Sequence, residues 1–269
     1  WRLAFMCRVQ SVCSGYGWIR SRPQFARFRV VAQPPLSRSA VNRAGDVLRE
    51  LMAVSGAEAL TRIEPERVAA ALDTLSEWRA MHAKPLQAAT MGLRSRVSTA
   101  GCRQIEVSQR LKRIPTILDK LRREPGMELG RMDDIGGCRA VLSDLDELQR
   151  VRDRYANAPV MVRIKDYISE PKDDGYRAVH VIVKYDDRRI EVQLRTRIQH
   201  EWAFTVEGVT SRFGLDVKAG GGPPEVREWF AAVSEAMALE EHGRPVGPEL
   251  LHRIDTLIAA ARPYLQGSR

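Results

Sequence analysis

Between Arg163 and Thr196 the sequence reads RIKDYISEPKDDGYRAVHVIVKYDDRRIEVQLRT, and basic, acidic and aromatic residues are interleaved with short β-patterned runs. At its end Ile190, Val192 and Leu194 alternate with Glu191, Gln193 and Arg195. A strand period of two sends the first three to a core and the second three to a shared polar face. Such a charged, ordered triplet on a central strand is costly unless something binds it. Tyr176 and His180, just upstream, can offer an aromatic plane and a donor to a nucleobase. The chemistry indicated is the handling of phosphates.

Two upstream stretches carry matching groups. In VSQRLKRIPTILDK, Val107, Gln109 and Leu111 alternate with Ser108, Arg110 and Lys112, and Pro115 then begins a helix that carries Lys120. Arg110, Lys112 and Lys120 are therefore expected to converge near one helix N-terminus, where cations and free backbone N–H groups stabilise anions. The ordinary alternative is a solvated basic strand. In MDDIGGCRAVL, Asp133 and Asp134 precede a short apolar strand, Cys138 to Leu142, and Gly136 and Gly137 permit close backbone approach. An aspartate there is either a structural cap or a magnesium ligand, since magnesium takes one or two carboxylates plus substrate phosphates.

Supporting elements follow from periodicity. Val160 to Ile164 and Ala178 to Tyr185 read as strands, KDYISEPKDDGY as the loop between them, and Asp186-Asp187 as the turn into Arg189 to Arg195. DLDELQRVRDRYANA is an amphipathic covering helix. From Ala40 to Ser98 two or three helices are expected, with Val47, Leu48, Leu51 and Met52, then Val68, Leu72, Leu75 and Trp78, on buried faces. Arg79, His82, Arg94 and Arg96 lie around a proline break at Pro85, and as charged helix positions they read as solvated or capping residues. AGGGPP, 219–224, lacks the lysine and hydroxyl residue of a phosphate loop and reads as a linker. The chain from Glu225 onward looks helical, with Trp229, Phe230, Val233, Leu250, Ile254 and Ile258 as packing or homo-oligomer faces.

The chain has 269 residues, 44% of them hydrophobic, enough for one catalytic domain with appendages. Its net charge of +9 is concentrated in residues 1–45, which hold eight arginines and no acidic residue. The body is close to neutral, so charge alone does not mark it as a nucleic-acid binder. The basic segment lacks the continuous apolar core of a secretory signal, and its acid-poor composition is shared with organelle transit peptides. We read it as an arm lying against the body or against a nucleic acid, closed by Pro34 and Pro35. No apolar run reaches the roughly 20 residues of a membrane helix. Cys7, Cys13, Cys102 and Cys138 show neither C-x-x-C pairing nor nearby histidine clusters, so a cytoplasmic, reducing setting is expected.

Taken together, RLKRIPTILDKL, MDDIGGCRAVL, KDYISEPKDDGYRAVH, EVQLRT and QHEWAFTVEG resemble, in order, the motifs of the RelA/SpoT-type pyrophosphokinase (alarmone synthetase) domain, over about Trp78 to Gly208. WRAMHAKPL and QHEWAFTVEG look more like the small single-domain synthetases and their toxin relatives. No His-Asp dipeptide occurs, so a hydrolase half is not expected. The resemblance implies an α+β fold, a mixed β-sheet flanked by helices of the nucleotidyltransferase type. It also implies a domain over 46–245 between the arm and a C-terminal helix at 246–269. Arg110, Lys112, Lys120 and Arg139 match ATP-binding positions, and Asp134 and Glu191 match the acidic residues that hold Mg²⁺ in catalysis. Lys165, Lys172, Asp174, Tyr176, His180, Gln193 and Arg195 fall in the acceptor-side motifs, Lys172 matching a phosphate contact and Tyr176 the tyrosine that stacks on guanine. The implied reaction moves the βγ-pyrophosphate of ATP to the 3′-hydroxyl of GDP or GTP. Alternatives of the same ancestry are a toxin that pyrophosphorylates the 3′ end of tRNA, with the arm on tRNA phosphates, and a non-catalytic nucleotide- or RNA-binding relative. The family's usual asparagine before Gly-Tyr is replaced here by Asp174.

Overall fold

The computed structural model describes residues 36–53, 64–103, 106–215, 217 and 221–266. Most of the basic arm, including Pro34 and Pro35, and Ala219 and Gly220 of the linker lie outside them. Three helices come first: α1 (Arg38–Ala53), α2 (Pro65–Ala80) and α3 (Ala83–Thr99). The helical packing therefore begins at Arg38, within the 1–45 segment, and Val41 and Ala44 are buried. The break between α2 and α3 is at Met81-His82, and Pro85 sits in the first turn of α3, where its missing N–H costs no hydrogen bond.

Strand β1 (Glu106–Leu111) leads to α4 (Ile114–Arg123), a 3₁₀ turn at Leu129–Arg131 and β2 (Gly136–Leu142). Next come α5 (Leu145–Ala156), β3 (Met161–Asp166), β4 (Val179–Tyr185) and β5 (Arg188–Thr196). The chain ends with α6 (Arg197–Phe213), α7 (Pro224–Glu241) and α8 (Pro248–Leu265).

The five strands form one mixed sheet in the order β1-β2-β5-β4-β3, with β2 and β5 parallel and the other pairs antiparallel. Ile190, Val192 and Leu194 are fully buried with Val179, Val181 and Val183 against α3 and α5. Each such side chain contributes about 1.5–3 kcal/mol on burial, and a one-residue slip would put Glu191, Gln193 and Arg195 into that core, so the register is fixed. Asp186 and Asp187 both have positive φ, 45° and 59°, the backbone of a primed two-residue hairpin turn.

Two more clusters flank the sheet. One joins α1, α2, α4 and the 3₁₀ turn through Leu48, Leu75, Trp78, Ile117, Leu121 and Leu129. The buried stripe of α2 runs through Ala71, Leu75 and Trp78, so Leu72, expected on that face, is 36% exposed. The other cluster joins α6, α7 and α8 through Trp202, Val206, Phe230, Val233 and Ile254, so the last helix is packed on its neighbours. Among the described residues no helix is long and apolar enough to cross a membrane, and Cys102 and Cys138 are free thiols.

Candidate active site

The face of the sheet opposite α3 and α5 carries the polar residues. Across three strands Arg110, Gly137 and Glu191 are register partners, and Ser108, Arg139, Gln193 and His180 form the adjacent row across four. Gly137 contributes no side chain where Arg110 and Glu191 flank it. A cleft of about 250 Å³ results, lined by Ser108, Gln109, Arg110, Lys112, Asp134, Gly137, Cys138, Arg139, Glu191 and Gln193. The predicted donor-side residues thus meet in one place.

Their meeting point differs from the expected one. Lys120 lies in the last turn of α4, and the N-terminus of that helix has no side-chain cap. Lys112 and Lys120 instead both reach Asp134, at 2.8 and 3.1 Å, with all three side chains largely buried. The counter-charge, rather than the helix end, gathers the cations. Burial opposes ionisation of Asp134, but Lys120 and Lys112 outweigh it and hold the carboxyl below its usual range, while nearby Glu191 pushes the other way. Asp133 is instead paired with Arg163 and Arg189. Arg139 binds its proton less firmly than usual, first because it is buried and then because Arg195 is close. The Nε–H groups of Arg139 and Arg195 are buried without partners. An under-satisfied guanidinium lining a cleft, as that of Arg139 does, is a setting that a bound anion relieves.

Four residues expected on the acceptor side, Tyr176, His180, Gln193 and Arg195, form a closed ring of hydrogen bonds with Glu191. Glu191 Oε1 meets His180 Nδ1 at 2.9 Å, and His180 Nε2 meets the Tyr176 hydroxyl at 2.6 Å. Arg195 Nη2 donates to that hydroxyl at 2.7 Å and to Gln193 Oε1 at 3.2 Å, and Gln193 Nε2 donates to Glu191 Oε2 at 2.7 Å. Burial would raise the pKa of Glu191, but the hydrogen bond and charge of His180, with Gln193 and Lys120 adding to them, bring it down to about 2. The Glu191 carboxylate is thus held in its ionised form.

Tyr176 packs edge-on against Tyr167, His180 and Trp202, and Lys172 Nζ and Arg195 lie over its ring at 5.1 and 5.0 Å. Asp174 Oδ1 accepts the Tyr176 backbone N–H at 2.9 Å, an Asx-type turn that an asparagine oxygen would make equally. Lys165 is exposed on β3, in register with His180.

The arginines and histidine near Pro85 are supporting residues. Arg79 Nε donates to the backbone oxygen of Lys112 at 2.7 Å. Arg94 Nη2 donates to Val107 O, and Arg96 lies over the Tyr155 ring. His82 is buried and bonds the Trp78 carbonyl through Nδ1. Sequence reasoning missed Arg177, Ser234 and Glu241, which pack behind the acceptor loop. No local pattern in the sequence marks these three residues.

Residues 109–212 match the family model described as the region found in RelA / SpoT proteins. An uncharacterised protein of Mycobacterium tuberculosis is 28% identical over 222 residues, 77% of this chain and 74% of its own length. The GTP pyrophosphokinase YjbM of Bacillus subtilis is 33% identical over 131 residues, 44% of this chain and 59% of that protein. Among solved structures, the small alarmone synthetase 1 of B. subtilis bound to its product pppGpp superposes with a TM-score of 0.52 at 22% identity, over 68% of this chain and 99% of that one. The mixed sheet and its flanking helices therefore have the fold of the small alarmone synthetases, and residues 109–212 within it resemble the region found in RelA / SpoT proteins.

Proposed function

We propose that this chain transfers the βγ-pyrophosphate of ATP to the 3′-hydroxyl of GDP or GTP, releasing AMP. The observation that carries the reading is the adjacency, on one sheet face, of a cation-lined cleft with two ionised carboxylates and a tyrosine-histidine-arginine acceptor cluster. Relatives named as GTP pyrophosphokinases support it.

The acceptor's 3′-oxygen attacks the β-phosphorus of ATP. The bond from that phosphorus to the α–β bridging oxygen breaks, AMP leaves with the oxygen, and the hydroxyl proton passes to solvent. Such a reaction needs alignment and charge neutralisation more than covalent help. Lys112, Lys120, Arg110 and Arg139 are the cations for the triphosphate, and Arg79 holds the backbone at Lys112. Tyr176 is the stacking surface for guanine, with Lys172 and Lys165 beside it for acceptor phosphates. Asp174 shapes the loop, which makes its replacement of the family's asparagine compatible with the same fold of that loop.

Asp134 and Glu191 would hold Mg²⁺. Among the described residues no group of three or more His, Cys, Asp or Glu side chains is suited to a metal, but Mg²⁺ needs only one or two carboxylates besides substrate phosphates. Two ionised carboxylates that repel one another fit that demand. Bound there, the ion would polarise phosphoryl oxygens and offset their developing charge. Lys112 and Lys120, both paired with Asp134, would stand beside the phosphates at such a site.

The test supplies [γ-³²P]ATP and Mg²⁺ with GDP, GTP or deacylated tRNA, and separates the products. Label in a guanine nucleotide, with AMP formed in equal amount, is the expected result. Label moving only to tRNA, or no transfer despite nucleotide binding, refutes the reading.

A further inference from the structure

The acceptor loop is held from behind by a residue far along the chain. Glu241, at the C-terminal end of α7, is 4% exposed and accepts from Arg177 Nη1 at 2.6 Å, from the Thr196 hydroxyl and from Gln199 Nε2 at 3.2 Å. Arg177, itself 5% exposed, directly follows Tyr176. Thr196 directly follows Arg195 and opens α6 through a capping box with Gln199. Tyr176 and Arg195 are the two residues joined by the 2.7 Å bond in the acceptor cluster. One carboxylate therefore ties down the next residue after each member of that pair.

Ser234, two turns earlier on α7, completes the arrangement. It accepts from Arg177 Nε at 3.2 Å and donates to the carbonyl of Gly175 at 2.5 Å. Gly175 has φ of +86°, and a Cβ there would lie 2.8 Å from Ala231 Cα, so the loop rests directly on the α7 backbone. A buried ion pair adds little net stability compared with apolar packing. What three donors converging on one buried carboxylate do supply is fixed geometry.

We infer that Glu241 is a positioning residue for the acceptor site: it sets the separation of Tyr176 and Arg195 through Arg177 and Thr196. The inference rests on the acceptor reading above. It makes α7, which contributes nothing to the donor cleft, a determinant of acceptor recognition.

Steady-state kinetics and hydrogen exchange of Glu241→Gln and Glu241→Asp provide the test. In Glu241→Gln the KM for GTP should rise about tenfold, a loss equivalent to about 1.4 kcal/mol, while the KM for ATP stays within about twofold. Amide exchange should quicken in residues 172–180 and stay unchanged in 106–123. Glu241→Asp, which keeps the charge, should recover part of the GTP affinity. Should Glu241→Gln fail to fold, the paired variant Arg177→Met with Glu241→Leu removes the charges together and should show the same split. Equal rises in both KM values, or unchanged exchange of the loop, overturn the inference. A wild-type chain that transfers to no guanine nucleotide sinks the functional reading alone, and loop exchange then decides the role of Glu241.

Discussion

Tyr176 gives the sharpest prediction, because its ring and its hydroxyl have separate partners. The hydroxyl meets Arg195 at 2.7 Å and His180 at 2.6 Å. Arg195 is 8% exposed, and its Nε already lacks a partner. Tyr176→Phe deletes the hydroxyl and leaves Gln193 as the remaining acceptor seen for that guanidinium. Losing a hydrogen bond to a buried charged group costs about 1.5–3 kcal/mol. For a domain of this size the melting temperature should fall by about 4–8 °C. The ring remains, however, and base stacking on an aromatic ring is worth about 1–3 kcal/mol. The GTP KM of Tyr176→Phe should therefore change by less than about fivefold, and that of Tyr176→Ala by a further about 10- to 100-fold, with the ATP KM unmoved in both. Differential scanning fluorimetry and initial rates with each nucleotide varied separately measure these quantities. Equal GTP KM values for the two variants would show that the hydroxyl network, not the ring, binds the acceptor. If neither variant alters that KM, Tyr176 has no place in the acceptor site.

Other perturbations address the donor side and the scaffold. Asp134→Asn should lower kcat by at least about 100-fold, as for other groups that stabilise transition-state charge, while circular dichroism shows the native secondary structure; retained turnover would remove Asp134 from the metal site. EDTA should abolish transfer without shifting the melting temperature, since Lys112, Lys120 and His180 pair with the two carboxylates; a large loss of stability would instead indicate a structural metal. His82 is neutral in the fold, with burial as the main cause and Arg188 adding to it, and its pKa is about 4 against 6.5 for the free side chain. The unfolded chain therefore takes up the proton first, so this contribution to stability is complete above pH 6.5 and is lost as pH falls toward 4. About 2 kcal/mol of wild-type stability should go between pH 7 and pH 5 from this source, and urea unfolding of His82→Asn should show a correspondingly flatter pH dependence.

How far the sequence revealed this site depends on the range over which each feature is determined. Glu191, Gln193 and Arg195 were sorted from Ile190, Val192 and Leu194 by a period that acts over adjacent residues, and the Asp186-Asp187 turn by its local backbone. Placement of Lys120 was different. Proline at the start of α4 suggested that cations would gather at the helix N-terminus, yet the two lysines follow the buried carboxylate of Asp134, fourteen residues from Lys120. Leu72 failed for a related reason: α1 contacts the side of α2 that carries Ala71 and Leu75, and helical spacing alone could not choose between neighbouring stripes. Glu241 had no legible signal, because its partner Arg177 lies 64 residues away. Motif reading thus finds the groups on the polar face of the sheet, which sit on short contiguous segments, and passes over the group behind them. In this chain that group is an acid at the C-terminal end of α7, where a charge 4% exposed persists only because Arg177, Thr196 and Gln199 converge on it.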